Sequence, residues 1–136
     1  MRKIKVAING FGRIGRVFTR SVLDNEQIEI VAINDLVDTK MLSHLLKYDT
    51  VHRKLDFDVN FSESSISINN KTIRVFNKRN PEELPWDKLD IDIVVESTGF
   101  FRSKENASKH LKAGAKKVVI SAPSTDSDVK TIVMGI

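Results

Sequence analysis

Three glycines near the start of the chain have the spacing that lets a backbone approach phosphate groups. Gly10, Gly12 and Gly15 form a G-x-G-x-x-G pattern between a short apolar segment and an amphipathic one. In that context the first glycine permits a sharp turn, the second removes a Cβ that would block a pyrophosphate, and the third lets a helix pack closely on a strand. The backbone N–H groups of Arg13 and Ile14 would then face phosphate oxygens at the positive end of a helix dipole. The pattern predicts a dinucleotide-binding turn.

An acidic residue stands where such a site needs one. Asp35 follows Gly15 by about twenty residues and comes after a second apolar segment. A carboxylate in this position accepts hydrogen bonds from ribose hydroxyls, and it repels the 2′-phosphate that distinguishes NADP from NAD. The spacing therefore predicts NAD as the cofactor. The alternative is that Asp35 only begins a turn before Asp38.

The segments around these residues predict a βαβ unit. Residues 3–9 and 28–33 are short and mostly apolar, as strands buried on both faces are, and residues 13–24 have apolar positions at spacings of three and four. A strand, a helix and a strand within about thirty residues make the strands parallel and the crossover right-handed. The predicted buried stripe of the helix consists of Ile14, Val17, Phe18 and Val22.

The pattern changes after this unit. A helix is predicted over 39–48, because Asp38 can cap it and apolar residues recur along one side. Residues 55–76 instead alternate apolar and polar side chains, with Asn69-Asn70 at a turn, which predicts a small antiparallel excursion. The predicted buried face of the helix consists of Met41, Leu42, Leu45 and Leu46.

The second half of the chain again alternates strands with helices. Asn80-Pro81 predicts the start of a short helix, since asparagine caps and proline suits the first helical position. Ser103 is predicted to cap a longer helix that ends at Gly114. Strands are predicted at 91–95, 117–121 and 131–134. Together these elements predict one α/β domain over 1–136, a Rossmann-type, doubly wound, mostly parallel sheet.

The composition disfavours several other kinds of site. The chain has no cysteine, hence no disulfide and no thiolate nucleophile. The net charge of +4 comes from interspersed charges, which favours a solvated surface over a nucleic-acid footprint. No apolar run is long enough to span a membrane and the start lacks the apolar core of a signal peptide, so we expect a cytoplasmic protein. We predict no metal site, because metal-ligand spacing is absent from the three histidines, His44, His52 and His110.

Several segments carry a family resemblance. Residues 9–16, Asn-Gly-Phe-Gly-Arg-Ile-Gly-Arg, resemble the signature opening of the glyceraldehyde-3-phosphate dehydrogenases. Further matches fall in that family's order and approximate spacing, so that the resemblance covers essentially the whole chain. They are residues 32–35, 44–50, 96–99, 114–118 and 120–123.

The resemblance implies a role for each residue of the site. The backbone of Arg13 and Ile14 would bind the pyrophosphate, and Asp35 would bind the adenosine ribose. The other positions are Asn34 and Arg79 beside the adenine, Thr98 and Gly99 on the floor of the groove, Phe101 at the adenine pocket and Ser121 toward the nicotinamide. Without the resemblance, Thr98 and Gly99 could belong to a simple strand-ending turn, Phe101 to the core and Arg79 to the solvated surface.

The resemblance also implies an activity that this chain does not complete. The family oxidises glyceraldehyde 3-phosphate in glycolysis with NAD and phosphate uptake, using a cysteine nucleophile and a histidine base. Neither group has a counterpart here, so the chain is predicted to contain no catalytic residue and to be inactive alone. Because it ends at Ile136 directly after an apolar segment, we expect a chain truncated before its catalytic domain.

Alternatives remain for the enzyme and for its assembly. The alternative functions are the related erythrose-4-phosphate dehydrogenases, a free-standing nucleotide-binding module, and RNA binding through the cofactor groove. Full-length relatives of the resembled family are homotetramers, whereas an uncovered strand favours self-association of this chain through residues 131–136, or a disordered end there. One position departs from the family: Arg53 follows His52 where a glycine is usual, which leaves the geometry of that substrate-side loop open.

Overall fold

A single mixed sheet organises the part of the chain that the structure describes. The computed structural model describes residues 3–23, 25–47, 59–68, 71–97 and 108–120, and the backbone of 132–134. The helices are α1 (Arg13–Val22), α2 (Thr39–Lys47) and α3 (Lys109–Lys112), with a 3₁₀ turn at Pro81–Glu83. The strands are β1 (Ile4–Asn9), β2 (Ile28–Asn34), β3 (Val59–Phe61), β4 (Ser65–Ile68), β5 (Lys71–Phe76), β6 (Ile93–Glu96), β7 (Lys117–Ile120) and β8 (Ile132–Met134).

The central strands are parallel and follow the doubly wound order. Along the sheet the order is β3-β4-β5-β2-β1-β6-β7-β8. Both β2 and β6 lie parallel to β1, while β5 lies parallel to β2 and β7 parallel to β6. The chain thus moves outward from β1 first on one side and then on the other. Folds of this kind bind ligands where the order reverses, in the crevice at the carboxyl ends of the strands. The predicted Rossmann-type fold is confirmed.

Antiparallel strands flank this parallel centre on both sides. The strands β3, β4 and β5 form a meander within the predicted excursion, and β5 also joins β2 through residues 74–76. At the other side β8 is antiparallel to β7, which the doubly wound pattern did not predict. Only the 11 residues 121–131 separate these two strands, and parallel neighbours need a crossover of about a dozen residues or more. Pairing of residues 131–136 with another chain stays a prediction.

Apolar side chains are buried on both faces of the sheet. Val6 and Ile8 of β1 join a cluster beneath α1 and α2. Ala7, between them, faces the other way and joins a second cluster that contains Trp86 and Ile91. Burial on both faces explains why the central strands are continuous apolar runs in the sequence rather than alternating ones.

The predicted buried stripe of α1 is wrong at its first residue. Ile14 is 50% exposed, and the buried residues of this helix are Gly15, Thr19 and Val22. Gly15 packs so closely on β1 that a Cβ there would lie 3.0 Å from Cγ2 of Ile8. This contact sets the buried line at spacings of four and three, and Ile14 is rotated away from it toward solvent.

The predicted buried face of α2 is wrong in the same way. Met41 is 48% exposed, while Leu42 and Leu46 are buried as predicted. The helix docks through two hydroxyl side chains that are buried with these leucines, Thr39 and Ser43. Each hydroxyl donates to a backbone carbonyl, so these polar groups can be buried. They occupy part of the buried side of the helix, where the apolar pattern had predicted Met41.

The predicted caps are confirmed where the structure describes them. Asp38 Oδ1 accepts a hydrogen bond of 2.8 Å from the N–H of Met41, and Asn80 Oδ1 accepts one of 3.1 Å from Glu82. Gly114 follows α3 at a φ of 116°. The predicted turn at 69–70 and the cap at 103 lie outside the described residues. Within the described part of the chain, no helix is long and apolar enough to cross a membrane.

Candidate functional site

The glycine turn lies between the carboxyl end of β1 and the start of α1. Gly10 has a φ of 92°, a conformation that side chains with a Cβ rarely adopt, and its N–H donates to the carbonyl oxygen of Asn34 at 2.8 Å. A Cβ on Gly15 would lie 2.8 Å from the carbonyl oxygen of Gly10. The first and third glycines therefore have the turn-forming and packing roles that their spacing predicts.

The amino terminus of α1 is open toward solvent. A Cβ on Gly12 would meet no atom within 4 Å, and the φ of −80° at this residue is available to other residue types. The first helical hydrogen bond runs from the N–H of Arg16 to the carbonyl of Gly12, so the N–H groups of Arg13 and Ile14 have no partner within the helix. The first turn has no side-chain cap and no acidic residue. This terminus has the geometry to accept an anion.

Contacts on both sides hold the turn in place. Phe11 is buried in the cluster beneath α1, its N–H donates to Asp35 Oδ2 at 2.8 Å, and its carbonyl accepts from Arg16 Nη1 at 3.1 Å. The hydroxyl of Ser97, which follows β6, donates to the carbonyl of Gly10. Strands β1, β2 and β6 thus all contribute to the position of the open helix terminus.

Asp35 is half-buried at the end of β2, beside the turn. Its Oδ1 accepts from the N–H of Val37 at 2.9 Å, while its Oδ2 accepts from Phe11. The first bond is the local turn expected if Asp35 only reversed the chain, but the second reaches the glycine turn. An ionised carboxylate accepts about four hydrogen bonds. Acceptor capacity beyond these two bonds would be available to ribose hydroxyls.

The structure joins Asn34 to Lys78, the residue before Arg79. Asn34 Nδ2 donates to the carbonyl of Lys78 at 2.9 Å, and its Oδ1 accepts from the N–H of Lys78 at 2.8 Å. The second N–H of this amide donates to Asn9 Oδ1 at 2.7 Å. The side chain of Asn34 is buried and both its donors are used, so it positions the segment that carries the exposed Arg79. Contact of either residue with adenine stays a prediction.

Three buried polar residues near this site were not predicted to act together. Asn9 Nδ2 and His110 Nε2 both form hydrogen bonds with the same carboxylate oxygen, Glu96 Oε1. From the sequence, Asn9 and Glu96 are predicted only as parts of family motifs, and His110 has no predicted role. A signal was present, because Asn9, Asn34 and Glu96 are each the polar end of an apolar strand, and parallel strands end at one edge of the sheet.

Four predicted positions lie outside the described residues: Thr98, Gly99, Phe101 and Ser121. The loop with His52 and Arg53 lies outside them as well. In the described part of the chain no three His, Cys, Asp or Glu side chains are grouped as metal ligands. The site that can be built from the described residues is therefore an anion-accepting helix terminus with a carboxylate and an amide beside it.

Comparisons with known proteins agree with this geometry. Residues 4–104 match the family described as "Glyceraldehyde 3-phosphate dehydrogenase, NAD binding domain". The glyceraldehyde-3-phosphate dehydrogenase of Priestia megaterium is 56% identical over 133 residues, which are 98% of this chain and 39% of that protein. Glyceraldehyde-3-phosphate dehydrogenase 1 of Bacillus subtilis and the enzyme of Geobacillus stearothermophilus are each 55% identical over 133 residues, with the same coverage. The chain spans about two fifths of the length of these relatives and belongs to the family of glyceraldehyde 3-phosphate dehydrogenase NAD-binding domains.

Proposed function

We propose that this chain holds NAD for an NAD-dependent, phosphorylating glyceraldehyde-3-phosphate dehydrogenase. The observation that carries the proposal is the open terminus of α1, where a Cβ on Gly12 would occupy otherwise empty space and the N–H of the preceding Phe11 donates to the carboxylate of Asp35. Relatives with 55–56% identity are glyceraldehyde-3-phosphate dehydrogenases, which favours this enzyme over the erythrose-4-phosphate alternative.

The described residues fit a dinucleotide. The N–H groups of Arg13 and Ile14 would bind the pyrophosphate, because they are unpaired within the helix and lie at its positive end. Asp35 would bind the adenosine ribose and disfavour NADP through charge repulsion. Asn34 would hold the segment of Arg79 beside the adenine. By the resemblance, Thr98, Gly99, Phe101 and Ser121 would complete the groove.

The contribution of this chain to the reaction is to bind and orient the cofactor. NAD supplies the hydride acceptor when it is bound. The chain has no cysteine, so it offers no thiolate to attack an aldehyde, and we assign it no catalytic residue. Glyceraldehyde 3-phosphate and phosphate would be substrates of the longer enzyme, which we place in the cytoplasm as a homotetramer.

Calorimetric titration with NAD and NADP tests the cofactor assignment. We expect NAD to bind more tightly, since like charges brought together at Asp35 and a 2′-phosphate can cost several kcal/mol. Equal or tighter binding of NADP would contradict the assignment. The Gly12→Val variant provides the control, because a folded variant that binds NAD as before would place the groove elsewhere.

An activity assay separates cofactor binding from catalysis. The 136-residue chain should not form NADH from glyceraldehyde 3-phosphate and phosphate, whereas a protein that extends it with the remaining three fifths of its relatives' length should. NADH formation by the short chain, with contaminating enzyme excluded, would overturn the assignment of no catalytic residue. An extended protein that binds NAD but leaves this aldehyde unchanged would overturn the substrate.

A further inference from the structure

A chain of buried hydrogen bonds lies beneath the glycine turn. Asn9, Asn34 and Glu96 are the last residues of β1, β2 and β6, and each is at most 4% exposed. His110 of α3 is fully buried against Glu96. Buried polar side chains with defined partners fix one arrangement, because an unsatisfied donor or acceptor in this environment is costly.

The partner of each atom determines the direction of each bond. The indole Nε1 of Trp86 can only donate, and it lies 3.0 Å from His110 Nδ1, so Nδ1 accepts and the ring proton is on Nε2. His110 Nε2 then donates to Glu96 Oε1 at 2.8 Å. This tautomer follows from the Trp86 and Glu96 contacts, and it makes the 3.3 Å contact between His110 Nε2 and Asn9 Nδ2 one between two donors that share the same acceptor.

The same carboxylate oxygen fixes the amide of Asn9 on its other side. Asn9 Nδ2 lies 2.6 Å from Glu96 Oε1 and must donate, which leaves Asn9 Oδ1 to accept from Asn34 Nδ2 at 2.7 Å. Asn34 is itself oriented by the backbone of Lys78, whose N–H donates to Asn34 Oδ1 and whose carbonyl accepts from Asn34 Nδ2. Asn9 is therefore held between Glu96 on one side and Asn34 on the other.

The two amides belong to the strand ends that support the cofactor site. The backbone carbonyl of Asn34 accepts from Gly10, and the backbone carbonyl of Asn9 accepts from Ser97. Asn34 also clamps Lys78, the residue before Arg79. A reversed amide at Asn34 would place its N–H₂ against the N–H of Lys78, two donors face to face.

We propose that Glu96, oriented by His110, is a positioning residue that holds the amide of Asn9 as the acceptor for Asn34 and thereby sets the shape of the cofactor groove. The inference rests on the proposed function, since its effect is on NAD binding. It assigns a role to the one buried carboxylate–imidazole pair among the described residues, which lies below the site and does not reach its surface.

Opposing or removing the shared acceptor tests this assignment. Asn9→Asp places two carboxylates against each other and should weaken NAD binding by about tenfold or more. Glu96→Gln is the conservative variant, because its side-chain carbonyl oxygen can accept from both Asn9 and His110 as the shared carboxylate oxygen does. Glu96→Met offers these donors no comparable acceptor, and its Kd should be about tenfold or more above that of Glu96→Gln. Asn25→Asp, the same change at an exposed loop residue, should leave the Kd unchanged.

Calorimetry with NAD is combined with urea unfolding and with nitrogen NMR of His110. A folded Asn9→Asp variant that keeps the original Kd would overturn the proposal, as would a folded Glu96→Met variant that binds NAD as tightly as Glu96→Gln. If Asn9→Asp does not fold, the two Glu96 variants decide: Kd values about tenfold apart support the proposal, and equal values overturn it. The NMR measurement does not depend on NAD: a ring proton on Nδ1 in the unaltered chain would overturn the proposal even if NAD binds. Absence of NAD binding together with a proton on Nε2 would instead overturn the proposed function.

Discussion

Gly12→Ala is the smallest change that separates the cofactor groove from the fold. The backbone at this residue has a φ of −80° and the added Cβ would meet no atom within 4 Å, so the folded state has room for it. Alanine is a poorer helix cap than glycine, which destabilises the folded state by about 0.5–1 kcal/mol. Alanine also reduces the conformational entropy of the unfolded chain, which stabilises the folded state by about 0.4–1 kcal/mol. The free energy of unfolding should therefore change by less than about 1 kcal/mol.

The effect on NAD should be much larger. The methyl group would occupy the space through which phosphate oxygens reach the N–H groups of Arg13 and Ile14. A hydrogen bond to a charged group contributes about 1.5–3 kcal/mol, which corresponds to about a 10- to 100-fold rise in Kd for each bond lost. Calorimetric titration with NAD measures this loss, and urea unfolding of the same sample measures stability.

Ser21→Ala is the matched control, because Ser21 is exposed on the same helix far from its open terminus. Both its Kd and its stability should stay close to those of the unaltered chain. A folded Gly12→Ala variant with unchanged affinity would refute the placement of the pyrophosphate at this terminus. A loss of several kcal/mol of stability would refute the inference that the space above Gly12 is open.

Other changes should act on stability or on cofactor choice. Asp35→Asn should weaken NAD binding and narrow its advantage over NADP, because a neutral amide no longer repels a 2′-phosphate; an unchanged ratio of the two calorimetric Kd values would argue against this role. Gly15→Ala should cost about 1–3 kcal/mol in urea unfolding, since its Cβ would lie 2.8 Å from the carbonyl oxygen of Gly10, and a stable variant would contradict that contact. Gly114→Ala should cost about 2–4 kcal/mol, because the φ of 116° disfavours a side chain and the Cβ would lie 2.5 Å from Asp87; a smaller loss would show that the turn can rearrange. Asp38→Ala should lower the free energy of unfolding by about 1 kcal/mol, because the N–H of Met41 loses the side chain that caps α2. An unchanged unfolding midpoint would show that this cap does not stabilise the protein.

The sequence predicts those parts of the fold that depend on local geometry. Some features depend only on residues that are close in the sequence: the glycine spacing, the caps at Asp38 and Asn80, and the apolar strands. The structure has all of them. The predicted burial of Ile14 and Met41 was wrong, because the side of a helix that packs on the sheet depends on close contacts with the sheet. In α1 that contact is made by Gly15, which has no side chain to contribute to an apolar pattern.

The direction of β8 and the long-range hydrogen bonds between buried polar side chains could not be predicted from the sequence either. The antiparallel β8 follows from the length of the connection rather than from the composition of the strand. The hydrogen bonds of Glu96 join Asn9, which is 87 positions away, to His110, so no spacing rule connects them. What the sequence does show is that each of the three neighbouring strands ends in a polar residue, a feature that gains meaning once the strands are known to be parallel.

The pairing of β1 with β6 has a consequence for the folding kinetics. Residues 4–34 can form the first strand, helix and strand early, but Glu96 reaches Asn9 only after a loop of 87 positions has closed. Such non-local closure is slow, and a site that depends on it is complete only after this barrier has been crossed. A ligand that recognises the finished site stabilises the native state without stabilising the transition state. NAD should therefore slow the unfolding of this chain while leaving its folding rate unchanged.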